Sequence, residues 1–165
     1  MELLEHLRMS VKAVNDMVET AMRDLTDEVV NYQPGGTANT IAQLLAHVVT
    51  SQDLLINNRF ASGTILHEGW ADKTGIPIDR TQIWQHGWQL DLAGFDAYRK
   101  EVATSAEAAF AAMEPEDLDR MIPWGRVPDR PVPLITQAVF VNHAMGHCGE
   151  ISALKGIQGL KGLPI

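Results

Sequence analysis

The residues best suited to chemistry are the two histidines of His143-Ala144-Met145-Gly146-His147. Four residues of α-helix turn through about 400°, so side chains at that spacing point about 40° apart and one turn displaced. Two imidazoles placed this way can ligate one metal ion, as the paired histidines of zinc-protease helices do. The glutamate that serves those proteases as general base is missing, because position 144 is Ala, and that makes a protease reading poor. Val139, His143, His147 and Ile151 form one i+4 row, so both rings are expected to continue an apolar stripe. Buried imidazoles need partners. The pair therefore reads either as metal ligands or as core histidines hydrogen-bonded to side chains or carbonyls. His47 lies in the apolar run Leu44-Leu45-Ala46-His47-Val48-Val49. Alone it reads more readily as a satisfied or boundary histidine. Turned into a bundle, it would bring a third imidazole from a second helix. Three protein nitrogens plus water is the pattern of an open site rather than a closed structural one.

Other candidates surround these. Glu150, three residues after His147, either orients a ligand or approaches the metal, or is a surface carboxylate. Cys148 lies about 100° round the helix from His147 and reads as a small buried residue, neither ligand nor nucleophile. His6, His67 and His86 read as peripheral, although His67 could reach a pocket mouth if its loop folds over the bundle. Trp70, Trp84, Trp88 and Trp124 read first as staples holding long connections to the core, with an apolar pocket wall as the alternative. No Ser-His-Asp pattern, glycine-rich phosphate loop or paired-carboxylate motif offers a rival mechanism.

Four amphipathic helices must position these side chains. Leu3, Leu4, Leu7, Val11, Val14, Val18, Ala21, Met22 and Leu25 recur at steps of three and four, predicting helix one over residues 2–25. Pro34-Gly35-Gly36 breaks the chain. Thr40 and Gln43 have capping-box spacing, so helix two starts at Asn39 or Thr40 and runs to about Phe60. Residues 61–90 form a long connection interrupted by glycines, with a short helical piece near 79–89; connections of that length are often functional. Helix three spans Asp91 to Met113, with Asp91 as its cap. Residues 114–133 hold Pro115, Pro123, Pro128, Pro131 and Pro133 and read as an extended, proline-stiffened link. Helix four begins near Pro133 or Leu134 and reaches about Lys155, with Gly156 as C-cap; the tail 159–165 is irregular. No segment shows strand alternation. The expected architecture is an all-α, single-domain four-helix bundle over residues 1–165 with at least one long crossover connection. Asn142, Gly146, Gly149, Ser152, Ala153 and Gly156 make a small-residue face on helix four. That face would permit close approach by another helix of this chain or of a second subunit, so a homodimer is an expectation.

Composition narrows the function. The chain has 165 residues with 13 Lys and Arg against 21 Asp and Glu, a net charge of −8. That argues against sequence-independent nucleic-acid binding, which needs a basic face. One cysteine allows no intrachain disulfide, the amino terminus carries charges where a signal peptide needs apolar residues, and no run approaches the ~18 apolar residues of a membrane span. The expectation is a cytoplasmic protein with no membrane or nucleic-acid partner.

Three stretches carry a resemblance: Asn39-Thr40-Ile41-Ala42-Gln43-Leu44-Leu45-Ala46-His47, Asn142-His143-Ala144-Met145-Gly146-His147-Cys148-Gly149-Glu150, and the closing Gly159-Leu160-Lys161-Gly162-Leu163-Pro164. Together, in helix order, they resemble the DinB/YfiT-like superfamily of four-helix-bundle metalloproteins. The resemblance implies a metal site made by His47, His143 and His147, holding a divalent ion such as Zn or Ni; three imidazoles suit Fe or Cu as well. Relatives include thiol-dependent transferases and isomerases using mycothiol, bacillithiol or glutathione. The implied activity is therefore a metal-dependent transfer or isomerisation with a low-molecular-weight thiol cosubstrate and a small-molecule substrate. The alternative is a non-enzymatic metal-dependent binding or stress-response module. No general base is evident, and Glu150 is the least poor choice. The family's name refers to damage induction and does not imply DNA binding.

Overall fold

A computed structural model describes residues 2–125 and 127–163; Pro164 and Ile165, at the end of the closing stretch, lie outside them. Its helices are α1 (Leu3–Ala21), α2 (Asp27–Asn31), α3 (Ile41–Asp53), α4 (His67–Thr74), α5 (Leu92–Ala112), α6 (Val132–Ile135) and α7 (His143–Ile157). Two π-helical segments extend the rods: Leu54–Phe60 continues α3, and Thr136–Asn142 joins α6 to α7. The four expected rods are therefore α1, α3 with its π segment, α5, and α6 through α7.

The apolar periodicity does what it predicts. Leu4, Leu7, Val11, Val14, Val18 and Ala21 are buried along α1, and Phe95, Val102, Ala106 and Phe110 along α5. α1 packs against α5 and α7, while α3 packs against α7 and, through its π segment, against α5. Consecutive rods α1 and α3 thus face each other across the bundle, as do α5 and α7, which is why both long connections must cross it. One cluster of buried apolar residues runs through all four rods.

Caps set the ends. Thr40 Oγ1 accepts from Gln43 N at 3.0 Å and Gln43 Oε1 accepts from Thr40 N at 2.8 Å, the predicted capping box. Asp91 Oδ1 accepts from Gly94 N at 2.7 Å. α1 stops at Ala21 rather than near residue 25, and the buried Lys155 donates to the carbonyls of Ala21 and Arg23. α7 runs past Gly156 to Ile157; it is Gly159, at φ +81°, that takes the left-handed position, open to glycine at no steric cost.

Three expectations need correction. The 114–133 link is not merely extended: Pro115–Asp119 forms a 3-10 turn, and β1 (Met121–Trp124) pairs antiparallel with β2 (Val127–Pro131). This hairpin leans on α6, so tertiary packing supplies what local alternation does not. The 61–90 connection contains α4 and a 3-10 helix at Arg80–Trp84. The small-residue face of α7 has no neighbour from this chain: a Cβ added at Gly146, Gly149 or Gly156 would meet nothing within 4 Å.

Candidate metal centre

α7 presents its deepest face through Ala144, Cys148, Ile151 and Leu154. His143 and His147 lie at the border of that face, half-buried, rather than within the apolar stripe. His47, on the facing helix α3, is half-buried in the same way. The three rings meet. His143 Nε2 and His47 Nε2 are 2.8 Å apart, and the ring centroids are separated by 4.7, 5.3 and 4.6 Å for the pairs 47–143, 47–147 and 143–147. One ligating atom from each histidine lies within 4.8 Å of the others, so the cluster could hold a metal ion.

The electrostatics favour the ligating form. Burial pushes the His47 pKa down to about 4, helped by His143, His147 and Arg80. Burial also lowers that of His143, with His147 and Arg80 acting in the same direction and the Val139 carbonyl and Glu150 opposing. Neutral imidazole is the metal ligand. Glu150 Oε2 lies 3.2 Å from His147 Nδ1, so the proton of that ring is held on Nδ1 and Nε2 is left as the free donor. This is the orienting role considered for Glu150.

The 3-10 helix Arg80–Trp84 closes over α3. Gln43, His47 and Ser51 lie one turn apart on α3, and each meets this segment. Gln43 Nε2 donates to the Gln85 carbonyl at 3.2 Å, the Trp84 ring stands 4.6 Å from His47, and Arg80 Nη2 donates to Ser51 Oγ at 3.1 Å. Asp79 caps the segment by accepting from Thr81 N and Oγ1 at 2.9 and 2.7 Å. Trp84 therefore walls the site. Trp70 and Trp88 act as staples, bonded to Glu101 and to the Ile83 carbonyl, and Trp124 belongs to β1. A cavity of about 460 Å³, lined by Thr40, Gln43, Gln85, His86 and Trp88 among others, opens one turn before His47. A second, of about 300 Å³, reaches Glu150 between Leu44 and Leu154. Neither is lined by the three histidines.

The remaining candidates divide. Cys148 is buried, and burial pushes its thiol up to about 11, which suits an inert core residue. His6 and His86 are exposed. His67 is not peripheral: it is fully buried, its Nε2 faces the Pro77 carbonyl at 2.9 Å and its backbone N–H donates to Asp53 Oδ2 at 2.8 Å. Asp53, also fully buried, accepts further from Leu66 N, Asn57 Nδ2 and the Tyr98 hydroxyl. Sequence reasoning missed Arg80, Ser51 and Asp53. The available signal was the i+4 row Gln43, His47, Ser51 in an otherwise apolar helix, which marks a face that some polar segment must cover.

The chain belongs to the DinB superfamily, whose profile matches residues 10–151. Among solved structures it is similar to a conserved protein from Enterococcus faecalis, at 15% identity and a TM-score of 0.76, covering 96% of this chain and 99% of that one. It is also similar to a protein from Streptococcus pneumoniae, at 14% identity and a TM-score of 0.66, covering 95% and 92%. These likenesses establish the fold. None of the curated proteins matches. Among the described residues, no helix is long and apolar enough to cross a membrane.

Proposed function

We propose that the chain binds a divalent metal ion through His47, His143 and His147 and uses it in a transfer or isomerisation reaction with a low-molecular-weight thiol as cosubstrate. The observation that carries the metal reading is the convergence of three ligating atoms from two helices within 4.8 Å. The thiol chemistry is supported by the family alone. The donor set fits the ion: three neutral nitrogens match an open site, and imidazole suits Zn or Ni, with Fe and Cu also accepted. Such an ion supplies Lewis acidity, lowering the pKa of a bound water or thiol. The chain's residues do the rest. Burial keeps the rings of His47 and His143 neutral at physiological pH, Glu150 fixes the tautomer of His147, and Trp84 shields one side of His47. The cavity beside Gln43 offers room for a small molecule.

The test is metal content of protein purified without a histidine tag. About one equivalent of metal is expected in the wild type, falling at least about tenfold in His47→Ala, His143→Ala and His147→Ala. Full metal content in all three variants would show that the ligands are elsewhere. A turnover screen of the loaded protein with thiols and electrophiles then decides between an enzyme and a binding module. Ligand binding without turnover would reject the transferase reading while leaving the metal site intact.

A further inference from the structure

We propose that Arg80 is the anion-recognising residue of the three-histidine site, taking the carboxylate of a small ligand held beside His47, His143 and His147. The proposal rests on reading that cluster as a metal centre, and it names the charge of what binds there.

Position comes first. Arg80 is bonded to Ser51, one helical turn from His47 on the same face of α3, and Trp84 at the other end of its short helix stands against the His47 ring. One turn is about 5.4 Å, so the guanidinium and the imidazoles border a common space. The charge of Arg80 is felt at both His47 and His143.

Availability comes second. The other buried or bonded arginines are occupied. Arg8 donates to the carbonyls of Phe110, Ala111 and Met113, closing the end of α5. Arg99 pairs with Asp96 and Glu19. Arg80, half-buried, gives one hydrogen bond, to a neutral hydroxyl. Its Nε is buried with no partner, an arrangement that costs free energy unless something fills it. Among the described residues no carboxylate lies within 4.0 Å of it. Asp53 acts on it electrostatically but is already served by four donors.

Charge balance comes third. Three neutral imidazoles contribute no negative charge, so a divalent cation and a guanidinium would share one corner of a chain whose net charge is −8. An anionic ligand resolves that excess, and the planar fork of arginine matches a carboxylate.

The test uses two nearly isosteric thiols that differ in charge, mercaptoacetate and mercaptoacetamide. The Nε–H resonance of Arg80, assigned by its loss in Arg80→Lys, is followed by NMR in zinc-loaded and metal-free wild-type protein. Mercaptoacetate is expected to shift it and mercaptoacetamide to leave it in place. The acid-to-amide affinity ratio of the loaded protein should fall about tenfold in Arg80→Gln, the difference between a charged and a neutral hydrogen-bond pair, with part of it retained in Arg80→Lys. An unmoved resonance in both forms of the protein, or an unchanged ratio, overturns the proposal. If zinc does not bind at all, the metal reading fails on its own. The metal-free titration still decides the role of Arg80, since a carboxylate-selective shift keeps it and no shift removes it. If Arg80→Gln does not fold, the wild-type resonance alone carries the decision.

Discussion

Glu150→Gln changes one atom on a largely exposed side chain and leaves the α7 backbone undisturbed, so its effect on metal affinity isolates one contact. Glu150 Oε2 stands 3.2 Å from His147 Nδ1. Unit charges at 3.2 Å in water interact by about 1.3 kcal/mol. The water limit applies because the Glu150 side chain is 56% exposed; an interior dielectric would overstate the effect several-fold. An imidazole whose other nitrogen binds a cation carries only part of a positive charge, so the expected loss is about 1 kcal/mol, or roughly fivefold in metal Kd. That falls just below the ~10–100-fold typical of residues that orient metal ligands, as exposure requires. Competition against a chromophoric chelator near neutral pH measures it. Gln keeps an acceptor oxygen for the ring, so Glu150→Ala should weaken binding further. Equal affinities for wild type, Gln and Ala variants would refute the orienting role. A loss beyond about 100-fold would mean that the carboxylate reaches the ion itself.

Tyr98→Phe removes the hydroxyl that donates to the fully buried Asp53 at 2.8 Å and should cost about 1.5–3 kcal/mol in denaturant unfolding; a loss too small to resolve would show that Asp53 does not depend on it. Burial raises the Cys148 thiol from 9.0 to about 11, so the unfolded chain ionises first and stability, unaffected below 9, declines as the pH climbs toward 11. Fast stoichiometric labelling of the native protein by a thiol reagent at mildly alkaline pH would contradict that burial. Gly149 is exposed in mid-helix with open space around it, so Gly149→Ala should stabilise by about 1 kcal/mol and raise Tm by about 2–4 °C. A fall in Tm would reveal something packed on that face in solution, a second copy included.

The rods were legible because burial along them follows a 3.6-residue period, and the capping box at Thr40 and Gln43 is a purely local signal. The hairpin was not, since Pro123, Pro128 and Pro131 mask strands of four and five residues that owe their pairing to α6. The π segments carry no local signature, because their residues are as apolar as those of any α-helix. His143 and His147 were readable from spacing. The convergence of His47 was only a possibility until the helices were placed, and the family resemblance raised it. His67 was misread because a loop between glycines suggests exposure, whereas its anchors, Asp53 and Pro77, are remote in sequence or hidden in the same unreadable loop. Arg80 gave no sign at all: its meaning depends on Ser51, 29 residues away.

The wide turns of Thr136–Asn142 end where His143 begins. A π turn accommodates extra chain within an otherwise continuous helix, so this stretch acts as a phase adjuster. Losing a single residue from it would let the ladder tighten into α geometry and re-index everything beyond by about 100°, swinging both histidines away from His47 while every side chain of the cluster was still encoded. Ligand alignment in this molecule is thus set by a residue count, and single-codon deletions between Thr136 and Asn142 should be tolerated far less well than substitutions at the same positions.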